Sequence, residues 1–175
     1  MMHRVTEVVK NLMIINVIVF FAVKYLIPIP GIDRYFMLVT PGMEYADGSI
    51  IYKFEPVQII THMFMHSDER HLLFNMLLLY WFGAISGDLI GDRRIFPIFF
   101  YGAFFGGLFA VLCLYIFPIG SISGFMVPGS SASVMAILFA AATLAPDYMM
   151  KLILIGSVRI KYIVLVLLFI NVISI

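Results

Sequence analysis

Charge and cysteine are both scarce in this chain. Asp, Glu, Lys and Arg together make up 12% of the 175 residues, and the net charge is only +1. An ordinary soluble domain is roughly a quarter charged, so an ordinary soluble composition is excluded. No basic stripe is present, which gives no case for a nucleic-acid partner. The one cysteine, Cys113, lies in an apolar run, which rules out an internal disulfide framework.

Apolar residues are abundant instead, at 63% of the chain. A soluble domain this small cannot hide that much apolar surface, whereas a helix of about 20 apolar residues can cross a bilayer. The sequence therefore predicts an all-α, polytopic membrane helix bundle in a single domain, 1–175. The first apolar run lacks a small-residue cleavage site, so it is interpreted as a retained span. The expected spans are 11–29, 71–85, 95–117, 128–145 and a fifth that begins near residue 162.

The distribution of positive charge predicts the orientation of these spans. With five spans, the N-terminal tail, the loop after span two and the loop after span four all lie on one side. They carry Arg4 and Lys10, Arg93 and Arg94, and Lys151, Arg159 and Lys161. We expect that side to be the cytoplasm of a cell-membrane protein. The segment 31–56 is then an outer interfacial loop, and Lys24 has to extend its ammonium group to the outer face.

The first cluster that could carry chemistry is His62, His66, His71 and Asn75. His71 and Asn75 are four residues apart, so they share one face of span two. Both can donate hydrogen bonds, and paired donors on one face suit an oxyanion site. Two other interpretations stay open. The two residues could bridge helices, or the three histidines could bind a metal, although no Cys or carboxylate lies nearby on the same helical face.

The second cluster is a Gly-x-Ser motif at residues 129–131, at the start of span four. This motif is typical of a serine nucleophile at a sharp turn into a helix, where backbone N–H groups face a developing anion. Small residues in membrane helices also serve for close packing, so the motif alone is a weak signal. It names Ser131 as a candidate nucleophile and Gly129 as its supporting turn residue.

Taken together, the motifs resemble the rhomboid family of intramembrane serine proteases. The stretches 61–66 (THMFMH) and 71–76 (HLLFNM) resemble the family's histidine-rich loop and its His-x-x-x-Asn helix. Residues 129–132 (GSSA) resemble its Gly-x-Ser-Gly at the fourth helix. The order of the motifs and the gap of about 55 residues between them also fit, and the resemblance covers residues 10–175.

The resemblance implies a role for each residue. Ser131 is the nucleophile, His71 and Asn75 stabilise the oxyanion with the backbone N–H of Ser131, and His66 and Gly129 support the site. The substrates are transmembrane proteins cleaved near the outer membrane face, the other partner is the lipid bilayer, and no metal or organic cofactor is implied. The oligomeric state is not readable from the sequence.

The chain departs from the family pattern in three places. Ala132 replaces a usual Gly, and Val57 and Gln58 replace a usual Trp-Arg pair, which puts the anchor of the outer loop in doubt. The third departure concerns the general base, which in the family is a histidine on a sixth helix. All histidines of this chain precede Ser131, and a serine hydroxyl needs a base.

Two features indicate a chain truncated at its C-terminus. Besides the missing base, span five stops after 14 residues, at Ile175. We therefore expect five of six transmembrane helices and an inactive fragment. His71 is an alternative base, but it fits the oxyanion role better. The competing functions are a non-catalytic rhomboid-like protein that binds transmembrane clients, and a small transporter, which the clustering of polar groups towards one face disfavours.

Overall fold

The protein is a bundle of helices with short strands in its connections. The computed structural model describes residues 5–40, 44–47, 50–116, 126–127, 129–152 and 156–173. The helices in these ranges are Glu7–Phe21 (α1), Gln58–Thr61 (α2), Glu69–Ile90 (α3), Ile95–Ile116 (α4), Ser130–Leu144 (α5) and Ile160–Ile173 (α6). A π-helical turn, Ala22–Leu26, extends α1, and short 3-10 turns cover Ile32–Tyr35, His62–Phe64 and Asp92–Arg94.

Within the described residues, three helical segments are long and apolar enough to cross a membrane: Glu7–Leu26, Glu69–Ile90 and Asp92–Cys113. The fourth and fifth predicted spans appear as shorter apolar helices, α5 and α6. The mainly helical membrane fold is thus confirmed. By length, three of the five predicted spans are long enough to cross a membrane in the described part of the chain. Helix α3 extends beyond the predicted 71–85 at both ends. Its start at Glu69 is explained by Asp68, which caps the helix by accepting a hydrogen bond from the backbone N–H of His71.

Helix α5 lies at the centre of the bundle, packed against both α3 and α4. Its side chains Ile137, Leu138 and Ala141 are fully buried. The approach of α4 is very close, since a methyl group added to Gly102 would lie 2.5 Å from Cβ of Ala136. This is the small-residue packing that lets membrane helices associate without a large side chain between them.

Helix α1 packs against α3 and is fastened to it at the far end of the span. The ammonium of Lys24 lies 3.0 Å from a carboxylate oxygen of Glu69, and the Tyr25 hydroxyl donates to the same oxygen. The charge of Lys24 is therefore paired with the carboxylate of Glu69, the first residue of α3, and does not depend on contact with water alone. The π-helical turn places Lys24 and Tyr25 next to Glu69.

Three antiparallel strand pairs occur in the described residues. Strands Glu44–Asp47 (β2) and Ile50–Lys53 (β3) form a hairpin within the predicted outer loop, and Met149–Leu152 (β5) pairs with Gly156–Arg159 (β6) between α5 and α6. The third pair joins distant parts of the chain: Leu38–Val39 (β1) pairs with Met126–Val127 (β4), with Leu38 opposite Val127. This pair ties the outer loop to the segment that leads into α5.

Candidate active site

Ser131 lies in the first turn of α5. Gly129 is the N-cap residue and supplies no side-chain cap, so the first N–H groups of the helix have no acceptor within it. Three serines occur in this turn: Ser130 and Ser133 are fully buried, whereas Ser131 is half-buried. Ser131 is thus the serine of this turn that a second molecule can reach.

Asn75 connects α3 to the same turn. Its side-chain amide donates a hydrogen bond to the Ser130 hydroxyl, with Nδ2 and Oγ 3.2 Å apart. Both residues are buried. The structure therefore brings Asn75 to the Gly-x-Ser motif, where its hydrogen-bond partner is Ser130, the residue before Ser131. The motifs, 55 residues apart in sequence, form one site.

His71 lies one turn before Asn75 on α3 and is held by the preceding loop. Its Nδ1 atom is 3.0 Å from the Ser67 hydroxyl and 3.5 Å from the Ser67 backbone nitrogen. A backbone N–H can only donate, so Nδ1 accepts and the ring proton of a neutral His71 is at Nε2. In this tautomer the Nε2–H can donate to an anion. Because Nε2 already carries the proton, it cannot act as a base.

His66 is fully buried beside the rings of His71 and Phe20, with ring centroids 5.3 Å and 6.3 Å away. Neither ring nitrogen has a hydrogen-bond partner among the described residues. Burial, with His71 nearby, lowers the pKa of His66 from 6.5 to about 4. The ring is therefore neutral at physiological pH and fills space behind His71.

His62 supports the turn directly, a role that the sequence motifs did not assign to it. Its carbonyl accepts a hydrogen bond of 2.9 Å from the Gly129 backbone N–H, and its ring lies against Gly129 and Gly107. Burial lowers the pKa of His62, so the ring carries one N–H. That N–H is at Nδ1 and donates to the backbone carbonyl of Gln58, 2.6 Å away.

Gln58 anchors the outer loop with its side chain, although it replaces the usual arginine. Its Oε1 accepts from the Val39 backbone N–H at 3.1 Å, and its Nε2 donates to the carbonyls of Arg34 and Lys53 at 2.7 and 2.8 Å. The side chain is fully buried. Gln58 thus joins three points of the predicted outer loop.

The histidines do not form a metal site within the described part of the chain, where no group of three His, Cys, Asp or Glu residues could hold a metal ion. His62 and His66 are both buried, and only His71 belongs to the same helix face as Asn75. The arrangement is one of hydrogen-bond donors around a serine-bearing helix start, which suits stabilisation of an anion.

The fold and this site define a class: a membrane helix bundle in which a half-buried serine and hydrogen-bond donors lie at the start of a central helix. The model of the Rhomboid domain family matches residues 53–175, well over half of the chain. The chain therefore belongs to the rhomboid family, which consists of intramembrane serine proteases. Comparisons with curated proteins and with solved structures gave no significant match.

Proposed function

We propose that this protein is a serine endopeptidase that cleaves transmembrane proteins near the outer membrane face, with Ser131 as the nucleophile. The observation that supports it best is the hydrogen bond from Asn75 on α3 into the first turn of α5. It brings a hydrogen-bond donor next to the half-buried Ser131. Family membership supplies the reaction class.

The proposed reaction is acyl transfer. The Ser131 hydroxyl attacks the carbonyl carbon of a substrate peptide bond, and the carbonyl oxygen becomes an oxyanion. The Nε2–H of His71, the amide of Asn75 and the backbone N–H of Ser131 donate to this oxygen. The oxyanion then collapses, the C–N bond breaks, and the amine product leaves with the proton that the Ser131 hydroxyl gave to the base. The acyl-enzyme that remains is hydrolysed by water, which releases the second product and regenerates Ser131.

A base must accept the proton of Ser131. His62 and His66 are buried. In His71, Ser67 occupies Nδ1 and the ring proton is at Nε2, so neither nitrogen is free to accept a proton. We therefore assign the base to a histidine outside residues 1–175, which forms a dyad with Ser131. His3 precedes the described residues, and the structure assigns it no place.

The test is cleavage of a transmembrane substrate by the full-length protein in liposomes. Ser131→Ala should reduce the rate by at least ~10³-fold, as loss of a nucleophile does in serine hydrolases. Ser133→Ala is the matched control, because Ser133 is buried in the same turn and its hydroxyl has no partner among the described residues. Undiminished cleavage by Ser131→Ala, with no change in cleavage site, would reject the assignment.

The second candidate is a rhomboid-like protein that binds transmembrane clients without cutting them. It is favoured by one observation: both histidines of the loop before α3 are buried, and neither contacts Ser131 in the described hydrogen bonds. Photo-crosslinking in membranes separates the two. Equal capture of intact client by the native protein and by Ser131→Ala, with no product, would establish the binding function.

A further inference from the structure

Ser130 has a feature that the proposed reaction does not use. It precedes the nucleophile, it is fully buried, and its hydroxyl accepts the hydrogen bond from the Asn75 amide at 3.2 Å. The position is the variable one in Gly-x-Ser, where an apolar side chain would make no such bond. The buried hydroxyl of Ser130 on α5 therefore has a specific partner on α3, the amide of Asn75, which belongs to the proposed oxyanion site.

The geometry of a carboxamide explains why that partner matters. The amide group of Asn75 is planar and carries two N–H bonds in fixed directions. When one N–H is held by Ser130, rotation of the amide about its terminal bond is restricted. The direction of the second N–H is then fixed as well. A donor fixed before the reaction stabilises an oxyanion without the cost of reorientation.

We propose that Ser130 is a positioning residue that acts through Asn75 and orients the Asn75 amide for the oxyanion. This inference rests on the proposed protease function. Ser130 forms no bond with the substrate and exchanges no proton in the reaction. Ser130 therefore stabilises the transition state, in which the negative charge develops, and does not strengthen the binding of the uncharged substrate.

A double-mutant cycle in the full-length protein tests the inference, with kcat and KM measured on a transmembrane substrate in liposomes. Ser130→Ala should lower kcat roughly 3- to 10-fold with KM unchanged, the effect of one neutral hydrogen bond. Ser130→Thr, which keeps the hydroxyl, should recover most of kcat. In an Asn75→Ala background, Ser130→Ala should have no further effect, because its partner is already gone.

The outcomes separate this inference from the proposed function. An equal loss of kcat from Ser130→Ala with and without Asn75 would show that Ser130 does not act through Asn75, and would overturn the inference alone. An unchanged kcat in Ser130→Ala, or a change in KM only, would do the same. Full activity in Ser131→Ala, with activity lost in Ser130→Ala, would overturn both by making Ser130 the nucleophile.

Discussion

At the scale of single residues, the identity of residue 129 follows from His62. A methyl group added to Gly129 would lie 1.9 Å from Cδ2 of the His62 ring, closer than any packed atoms approach. The backbone N–H of Gly129 is at the same time bound to the His62 carbonyl. A shift of Gly129 away from the ring would strain this hydrogen bond, which holds the turn that leads to Ser131.

Gly129→Ala should therefore reduce both stability and cleavage. We expect a loss of ~1–3 kcal/mol in the free energy of unfolding, the usual cost of overpacking. Thermal unfolding in detergent measures it. The control is the same change in a His62→Ala background, where the ring is absent and the added cost of Gly129→Ala should fall below half. Equal costs in the two backgrounds would show that the ring is not the obstacle.

His66 makes stability depend on pH. Its pKa is about 4 in the folded protein against 6.5 for an exposed histidine, so the unfolded chain binds a proton at a higher pH than the folded chain does. The contribution of neutral His66 to the free energy of unfolding is complete above pH 6.5. It decreases by up to ~3 kcal/mol as the pH falls towards 4. Below pH 4 both states are protonated and this loss levels off.

The measurement is the unfolding midpoint between pH 7.5 and 4, compared with a His66→Phe variant. Phenylalanine fits the aromatic contact with Phe20 but cannot bind a proton. The variant should lose less stability than the native protein over this range. Parallel curves for the two proteins would show that another group is responsible for the pH dependence.

At the scale of helices, the contact between α4 and α5 explains Ala132, which stands where the family usually has glycine. A methyl group added to Gly106 would lie 2.6 Å from Cβ of Ala132. The space for the alanine is thus provided by a glycine on the facing helix. Small residues in a membrane helix can serve for close packing, but the sequence alone does not say which helices meet.

Exchanging the two residues tests this explanation. Gly106→Ala alone should cost ~1–3 kcal/mol of stability through overpacking. Gly106→Ala combined with Ala132→Gly should restore most of it, because the pair again contains one methyl group. Unfolding midpoints of the two variants in detergent check the prediction. A double variant as unstable as the single one would indicate that the helices are spaced by other contacts.

Gln58 holds the outer loop at the same scale. Gln58→Ala leaves two carbonyls and one N–H without their buried partner, so we expect a loss of ~2–4 kcal/mol. Hydrogen exchange should increase most around Val39 and Lys53, which Gln58 joins. The neighbour Val57 is exposed, so Val57→Ala is the matched control and should leave exchange unchanged. Equal exchange in both variants would reject the anchor.

Long apolar helices could be predicted from the sequence, because the bilayer length and the apolar composition determine them. His71 and Asn75 could also be named, because they are four residues apart on one helix, and Ser131 could be named because it ends a Gly-x-Ser motif. The role of Ser130 could not be predicted. It depends on how α3 and α5 meet, and a short polar side chain in a small-residue motif has many possible partners. The strands β1 and β4 were missed because each has only two residues.

At the scale of the whole molecule, the charge pattern predicts that the turn 92–94 and the hairpin 149–159 lie on the cytoplasmic side. Replacing Cys113 with alanine removes the one cysteine of residues 1–175. Single cysteines at Arg93, Lys151 and Glu55 can then be labelled in intact cells with a membrane-impermeant maleimide. Only the cysteine at Glu55 should react before permeabilisation. Labelling at Arg93 or Lys151 in intact cells would reverse the orientation.

The pairing of Leu38–Val39 with Met126–Val127 has a consequence for biosynthesis. The two strands are separated by about 90 residues, and a ribosome adds ~5–20 residues per second. Strand β1 is therefore synthesised on the order of 5 to 20 seconds before β4. During this time its backbone groups have no strand partner and are hydrated. Completion of the outer loop is thus a late event in synthesis, and the nascent chain holds an unfinished site until α5 follows.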